Sequence, residues 1–274
     1  MFRSIVVPLD LEVVGDRALP VAGSLARLGG LPIELLTIES PRMEGFVDVC
    51  ELGRRVKTYG LGPHSINVLY GDDAGRAITG FVASRNDALI VMGSTAKNPL
   101  REQTFGSVSE HVLAHAHRSV LIVGPHVNGF DVTRAPSLVV AVDESDSADV
   151  AIPVIESWQR TFGGGVVRVV EVAPLAVGAD AALKECPDSA PVLRGEPDRA
   201  WRFARLLADR GVAATWEVIH GGDPASRLED LGADLSNAVV VATSTRWTGP
   251  GIHMHSTTRK IARNSTRPVL VVPA

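Results

Sequence analysis

The chain has 274 residues, 45% of them hydrophobic, and its 27 lysines and arginines against 31 aspartates and glutamates leave a formal net charge of -4. That balance, with no basic run, argues against electrostatic capture of nucleic acid or anionic lipid. The length exceeds the commonest domain size of about 100 to 150 residues, so two domains are expected.

No stretch of about 18 apolar residues offers a membrane helix. The opening MFRSIVVPLDLEVVGD carries one arginine and an apolar run broken by Pro8 and Asp10, so no secretory signal is expected. Cys50 and Cys186 form neither a CxxC pair nor a disulfide framework. A reducing cytoplasm is the expected location.

In chain order, short Val/Ile/Leu runs predict strands over 4–10, 32–39, 65–71, 88–95 and 119–125. Runs of this kind, apolar at nearly every position, are what a parallel sheet buried on both faces requires. Between them lie helical spacings. The first, DRALPVAGSLARLGG, contains Pro20, whereas residues 73–85 place Ile78, Phe81 and Val82 on one face. A turn-rich join follows at 126–136, HVNGFDVTRAP.

The second half repeats the rhythm, with strands expected over 137–143, 165–174, 214–223, 238–245 and 268–274. Within it, residues 196–211 predict a helix with Trp201, Ala204, Leu207 and Ala208 on one face, ending at Gly211. Asp143 follows Asp10 by 133 residues, Gly222 follows Gly71 by 151, Ala238 follows Ala88 by 150, and Val269 follows Val120 by 149. YGDDAGRAI answers GGDPASRL, and RSVLIVGP answers RPVLVVPA. One unit is therefore written twice. Alternating strands and helices predict an α/β fold of two tandem doubly wound domains, each a five-stranded parallel sheet flanked by helices, over residues 1–128 and 135–274. The terminal runs 119–123 and 268–272 are apolar edges expected to cover each other.

Ligands of such sheets bind at the carboxyl ends of the strands, where helix N-termini also gather. Three features of the first half converge there. Asp10, after strand 1, suits ribose hydroxyls or a metal held through water. Gly93, at the end of strand 4, lets a phosphate approach the backbone, and Gly106-Ser107 opens the last helix with its partial positive charge. Each has an ordinary structural role as well: Asp10 as a turn residue, and SVSE at 107–110 as a capping box joining Ser107 and Glu110. Their combination is more specific, because Gly93, Ala96 and Gly106 keep a G-x2-A-x9-G-S spacing.

The segments IVVPLD, YGDDAGRAI, DALIVMGSTA and FGSVSEHVLAHAHRSVLIV resemble the universal stress protein family, here as a tandem. The resemblance implies a Rossmann-like fold similar to the adenine nucleotide alpha hydrolases. It implies a stress-response regulatory module that binds ATP, with magnesium as companion ion, and changes its contacts with a protein partner. By that resemblance Asp10 lies near the ribose, Ile38 near the adenine, and Gly93, Ala96, Gly106, Ser107 and Val108 surround the phosphates. The family's ATP-binding form has glycine where this chain has Ala96, and there a Cβ crowds the phosphate or strains the backbone. The alternative reading is a nucleotide-free protein-interaction module. The resemblance further implies pairing of last strands across a two-fold axis and, beyond that, a homodimer.

In the second half Asp143 and Val172 match Asp10 and Ile38, but Thr243 replaces Gly93, Thr245 or Arg246 replaces Ala96, and His255-Ser256 replaces Gly106-Ser107. The phosphate cradle has lost its glycines, so at most one ATP per chain is expected. Histidines 111 and 115, four apart on a helix, have the spacing of a zinc pair, and HMH adds His253 and His255. With no third ligand at recognisable spacing, a solvated helix face is the preferred reading. There is no P-loop, nucleophile elbow, HExxH or paired-carboxylate pattern, so no enzymatic activity is expected, and weak ATP turnover ranks last.

Overall fold

A computed structural model describes residues 1–10, 15–40, 49–94, 106–130, 133–143, 146–173, 199–233, 235, 237–244 and 256–273. The first half runs β1 (Ser4–Pro8), α1 (Ala18–Gly29), β2 (Ile33–Glu39), α2 (Val49–Thr58), β3 (His64–Tyr70), α3 (Ala74–Val82), β4 (Ala88–Gly93), α4 (Ser107–His115) and β5 (Val120–Val123). The second runs β6 (Ser137–Val142), α5 (Ile152–Phe162), β7 (Val167–Ala173), α6 (Arg199–Ala208), β8 (Ala214–His220), α7 (Pro224–Ala233), β9 (Ala238–Ser244), α8 (Ser256–Asn264) and β10 (Val269–Pro273). Pro20 falls in the first turn of α1, where its missing N–H has no helical acceptor to lose, so the helix survives it.

The ten strands of the described residues join one sheet in the order β3-β2-β1-β4-β5-β10-β9-β6-β7-β8. Every neighbouring pair is parallel except β5 and β10, which run antiparallel with Leu121 opposite Leu270. The two repeats thus cover each other's terminal edges. The nearly continuous Val/Ile/Leu composition follows from burial on both faces: alternate residues of β1, Val6 against Ile5 and Val7, enter opposite cores. One core takes α1, α2, α5 and α6 through residues such as Leu25, Leu52, Ile155 and Phe203. The other takes α3, α4, α7 and α8 through Ile78, Val112, Leu228 and Ile261.

The halves also meet through an aromatic cluster. Phe2 stacks on Phe162 with ring centroids 6.1 Å apart, Trp158 meets Phe162 edge-on at 4.6 Å, and the Phe2 amide donates to Thr161 Oγ1 at 3.0 Å. Helix α6 corrects the expected apolar face. Ala200, Phe203, Ala204 and Leu207 are buried, while Trp201 and Ala208 are exposed. Phe203 carries more apolar area into the core than Ala208 can, which sets the helix's rotation over the sheet.

Candidate functional site

Parallel pairing gathers the proposed first-half residues at one edge. Pro8 pairs with Leu36, so two residues further on Asp10 is level with Ile38, and the Leu9 amide donates to the Leu36 carbonyl at 2.8 Å. On the other side of β1, Val6 pairs with Ile90, bringing Asp10 level with Ser94, next to Gly93. Asp10 lies beyond the end of β1 and is exposed, and Ile38 and Gly93 are half-buried. Ala96 lies outside the described residues.

The start of α4 differs from the expected capping box. Gly106 is the N-cap, and among the described residues no side chain caps the helix. Ser107 is already helical, and Glu110 reaches Arg259 of α8 at 3.4 Å. With Glu110 committed to that ion pair, the first-turn N–H groups at Ser107, Val108 and Ser109 have no intrahelical acceptor and point out of the helix start. Gly106 has φ -54° and ψ 136°, a conformation any residue adopts, so its value here is its missing side chain. Helix α3 is finished differently: Asp73 caps it by accepting from the Arg76 amide at 3.0 Å. That amide, followed by the charge of His111, holds the Asp73 carboxyl below its usual range.

Helices α3 and α4 pack tightly. A Cβ on Gly75 would stand 2.6 Å from His111 Cγ and 2.7 Å from its Cβ, so the imidazole occupies the space glycine leaves. His111 is therefore half-buried, not on a solvated face. Its ring stacks on His115 at 4.3 Å, and His115 Nδ1 lies 2.9 Å from the His111 carbonyl. Burial first, then the charge of His115, lowers the His111 pKa. Among the described residues no group of three or more His, Cys, Asp or Glu is arranged to hold a metal ion.

In the second half the corresponding edge encloses a cavity of about 150 Å³. Its walls include Val142, Asp143, Val172, Thr243, Thr257 and Thr258, and so bring together Asp143, Val172 and Thr243 of the sequence comparison. Thr258 Oγ1 donates to the Thr243 carbonyl at 3.2 Å, bracing α8 against the end of β9. Lys260 Nζ sits 3.1 Å from Asp223 Oδ1, and this hydrogen bond is the first cause of the lowered Asp223 pKa. The 149-residue offset that relates Val269 to Val120 puts Thr258 on Ser109 and Lys260 on His111, a mapping that could have pointed to these residues. Arg246 and His255 lie outside the described residues, as does His253.

The universal stress protein family model matches residues 47–124 and again 136–273. This chain belongs to the universal stress protein family. Universal stress proteins of Mycobacterium tuberculosis and Mycobacterium bovis are 27% identical to it over 196 residues, covering 69% of this chain and 59% of theirs. The chain thus spans less than two thirds of the length of these curated relatives.

Among solved structures, a universal stress protein from Archaeoglobus fulgidus superposes with a TM-score of 0.69 at 18% identity, covering 98% of both chains. One described as a putative universal stress protein from Pseudomonas aeruginosa gives 0.65 at 16%, covering 99% of this chain and 93% of the other. The cytoplasmic domain of a prokaryotic cation chloride cotransporter gives 0.52 at 11%, covering 99% and 95%. At these identities the likeness shows a fold that serves more than one kind of protein, so the function of this universal stress protein has to be argued from its site. Among the described residues, no helix is long and apolar enough to cross a membrane.

Proposed function

We propose that this universal stress protein is a regulatory module of the stress response that binds ATP through its first half. Residues 1–128 form the binding domain, and residues 135–274 form a second domain whose nucleotide loop has degenerated. The observation that carries the reading is the uncapped start of α4 at Gly106, beside the strand ends that hold Asp10, Ile38 and Gly93. First-turn N–H groups without intrahelical acceptors, at a helix start with no side-chain cap among the described residues, form the donor set a phosphate requires. Asp10 suits the ribose hydroxyls, Ile38 the face of the adenine, and Gly93, Ala96, Gly106, Ser107 and Val108 the phosphates, with magnesium accompanying them. Occupancy of this site changes contacts with a regulatory protein partner in the cytoplasm, without catalytic turnover, in a chain that forms homodimers and engages neither nucleic acid nor membrane.

Ala96 favours a second reading, a nucleotide-free interaction module, because its methyl stands where the phosphate loop calls for glycine. Equilibrium dialysis with labelled ATP separates the two. The expected result is at most one ATP per chain, bound about fivefold more tightly by Ala96→Gly, which corresponds to about 1 kcal/mol of relieved backbone strain. Gly106→Leu abolishes binding by volume, since the backbone there tolerates any residue. Two equivalent sites per chain refute the asymmetry between the halves. No binding by either the native chain or Ala96→Gly establishes the second reading.

A further inference from the structure

Glu110 lies in the first turn of α4, three residues after Ser107. Helical side chains lean back toward the N-terminus of their helix, so this carboxylate is directed at the end proposed for the phosphates. Alone, it would satisfy the partial positive charge of the helix start and repel a second anion there. Arg259 of α8 meets it at 3.4 Å, and both side chains are half-buried, so their attraction is only partly screened. A guanidinium from the second half thus offsets the carboxylate at the edge of the first.

The duplication shows that this pairing is specific to the tandem. The 149-residue offset of the repeat puts Arg259 on Glu110 and Leu270 on Leu121. Leu121 faces Leu270 across the antiparallel seam of β5 and β10, and Glu110 faces Arg259, so equivalent positions of the two halves meet there. A second half that copied the first would set a glutamate against Glu110. This chain sets an arginine there.

We propose that Arg259 is a positioning residue for nucleotide phosphates held by the first half: it neutralises Glu110 and so keeps the start of α4 positive. The second half, whose own loop has lost its glycines, thereby serves the site of the first. The inference rests on the reading of the first half as an ATP site. Removing the guanidinium leaves Glu110 uncompensated within the turn that receives the anion. Unit charges about 5 to 7 Å apart, one helical turn or a little more, change an affinity by about threefold in water and about fiftyfold at the screening of a protein surface. An effect of about tenfold is therefore expected, on the phosphates and not on the nucleoside.

The test is equilibrium dialysis of the full chain with labelled ATP and labelled adenosine. Arg259→Met, which keeps much of the stem and removes the charge, is expected to weaken ATP about tenfold and to leave adenosine within about twofold. Arg259→Lys should retain most of the ATP affinity. Glu110→Gln should bind ATP at least about threefold more tightly than the native chain, with adenosine unchanged. Combining Glu110→Gln with Arg259→Met should bring ATP back to within about twofold of native, a recovery that loosened packing of α4 would not produce. That recovery separates charge from packing even where adenosine binds too weakly to measure, and Glu110→Gln alone carries the test if Arg259→Met does not fold. Native ATP affinity in Arg259→Met, equal losses of ATP and adenosine, no recovery in the double variant, or weaker ATP binding by Glu110→Gln would each overturn this inference and leave the ATP site standing. A native chain that binds no ATP would overturn both.

Discussion

Gly75→Ala tests whether the packing of α3 on α4 positions the nucleotide edge. The added Cβ would lie 2.6 Å from His111 Cγ, 2.7 Å from its Cβ and 2.8 Å from Cδ2, about 0.8 Å inside the 3.4 Å at which ordinary contact begins. A rotamer change can carry Cγ and Cδ2 away but leaves Cβ where it is, so the backbone of α4 has to move. Overpacking of this kind costs about 1 to 3 kcal/mol, and exchanging glycine for alanine in a helix returns up to about 1 kcal/mol. The net expectation is a loss of about 1 to 2 kcal/mol, read as a fall in Tm of about 2 to 8 °C. Because α4 begins at Gly106, the same displacement should weaken ATP binding in dialysis. Adding His111→Ala should recover only part of the stability, since the Cβ at 2.7 Å remains. A Gly75→Ala protein as stable as the native one, or full recovery in the double variant, would refute the reasoning.

Two further outcomes are expected. The lowered His111 pKa means that the folded chain favours the neutral ring, so the stability it contributes is complete above its ordinary value of 6.5 and is lost as pH falls below it. Tm should therefore drop between about pH 7 and pH 5, and His111→Gln should show a shallower drop in the same scanning-calorimetry series; identical slopes would remove His111 as the cause. Phe162→Ala empties the aromatic cluster in which Phe162 is 2% exposed and should cost about 3 to 5 kcal/mol. Because the lost contact lies between the halves, calorimetry should resolve two transitions where the native chain shows one; a single transition shifted by less than about 1 kcal/mol would contradict a coupling role.

Ten strands, their order along the chain and the duplication of the unit were legible in the residues, because a strand buried on both faces has to be apolar nearly throughout and a repeat preserves its landmarks. Asp10, Ile38 and Gly93 could likewise be assigned to one edge, since parallel strands with right-handed crossovers bring all their carboxyl ends together. Local patterns misled where a distant partner competed. SVSE had the composition of a capping box, but Arg259, 149 residues beyond Glu110, took the carboxylate, and no side-chain cap forms among the described residues. Trp201 suited the apolar stripe of α6, yet Phe203 entered the core and turned it outward. His111 read as solvated until Gly75 on a neighbouring helix offered room for its ring. The repeat already related Asp143, Val172 and Thr243 to the first-half edge, but the volume of the cavity beside them had no signature along the chain, because its walls come from three strands and two helices and depend on how far those elements stand apart. Periodicity is set by a residue's own neighbours in the chain and can be read there, whereas a cap, a face or a cavity is settled by whichever group arrives from elsewhere, and only the packed structure brings that group into place.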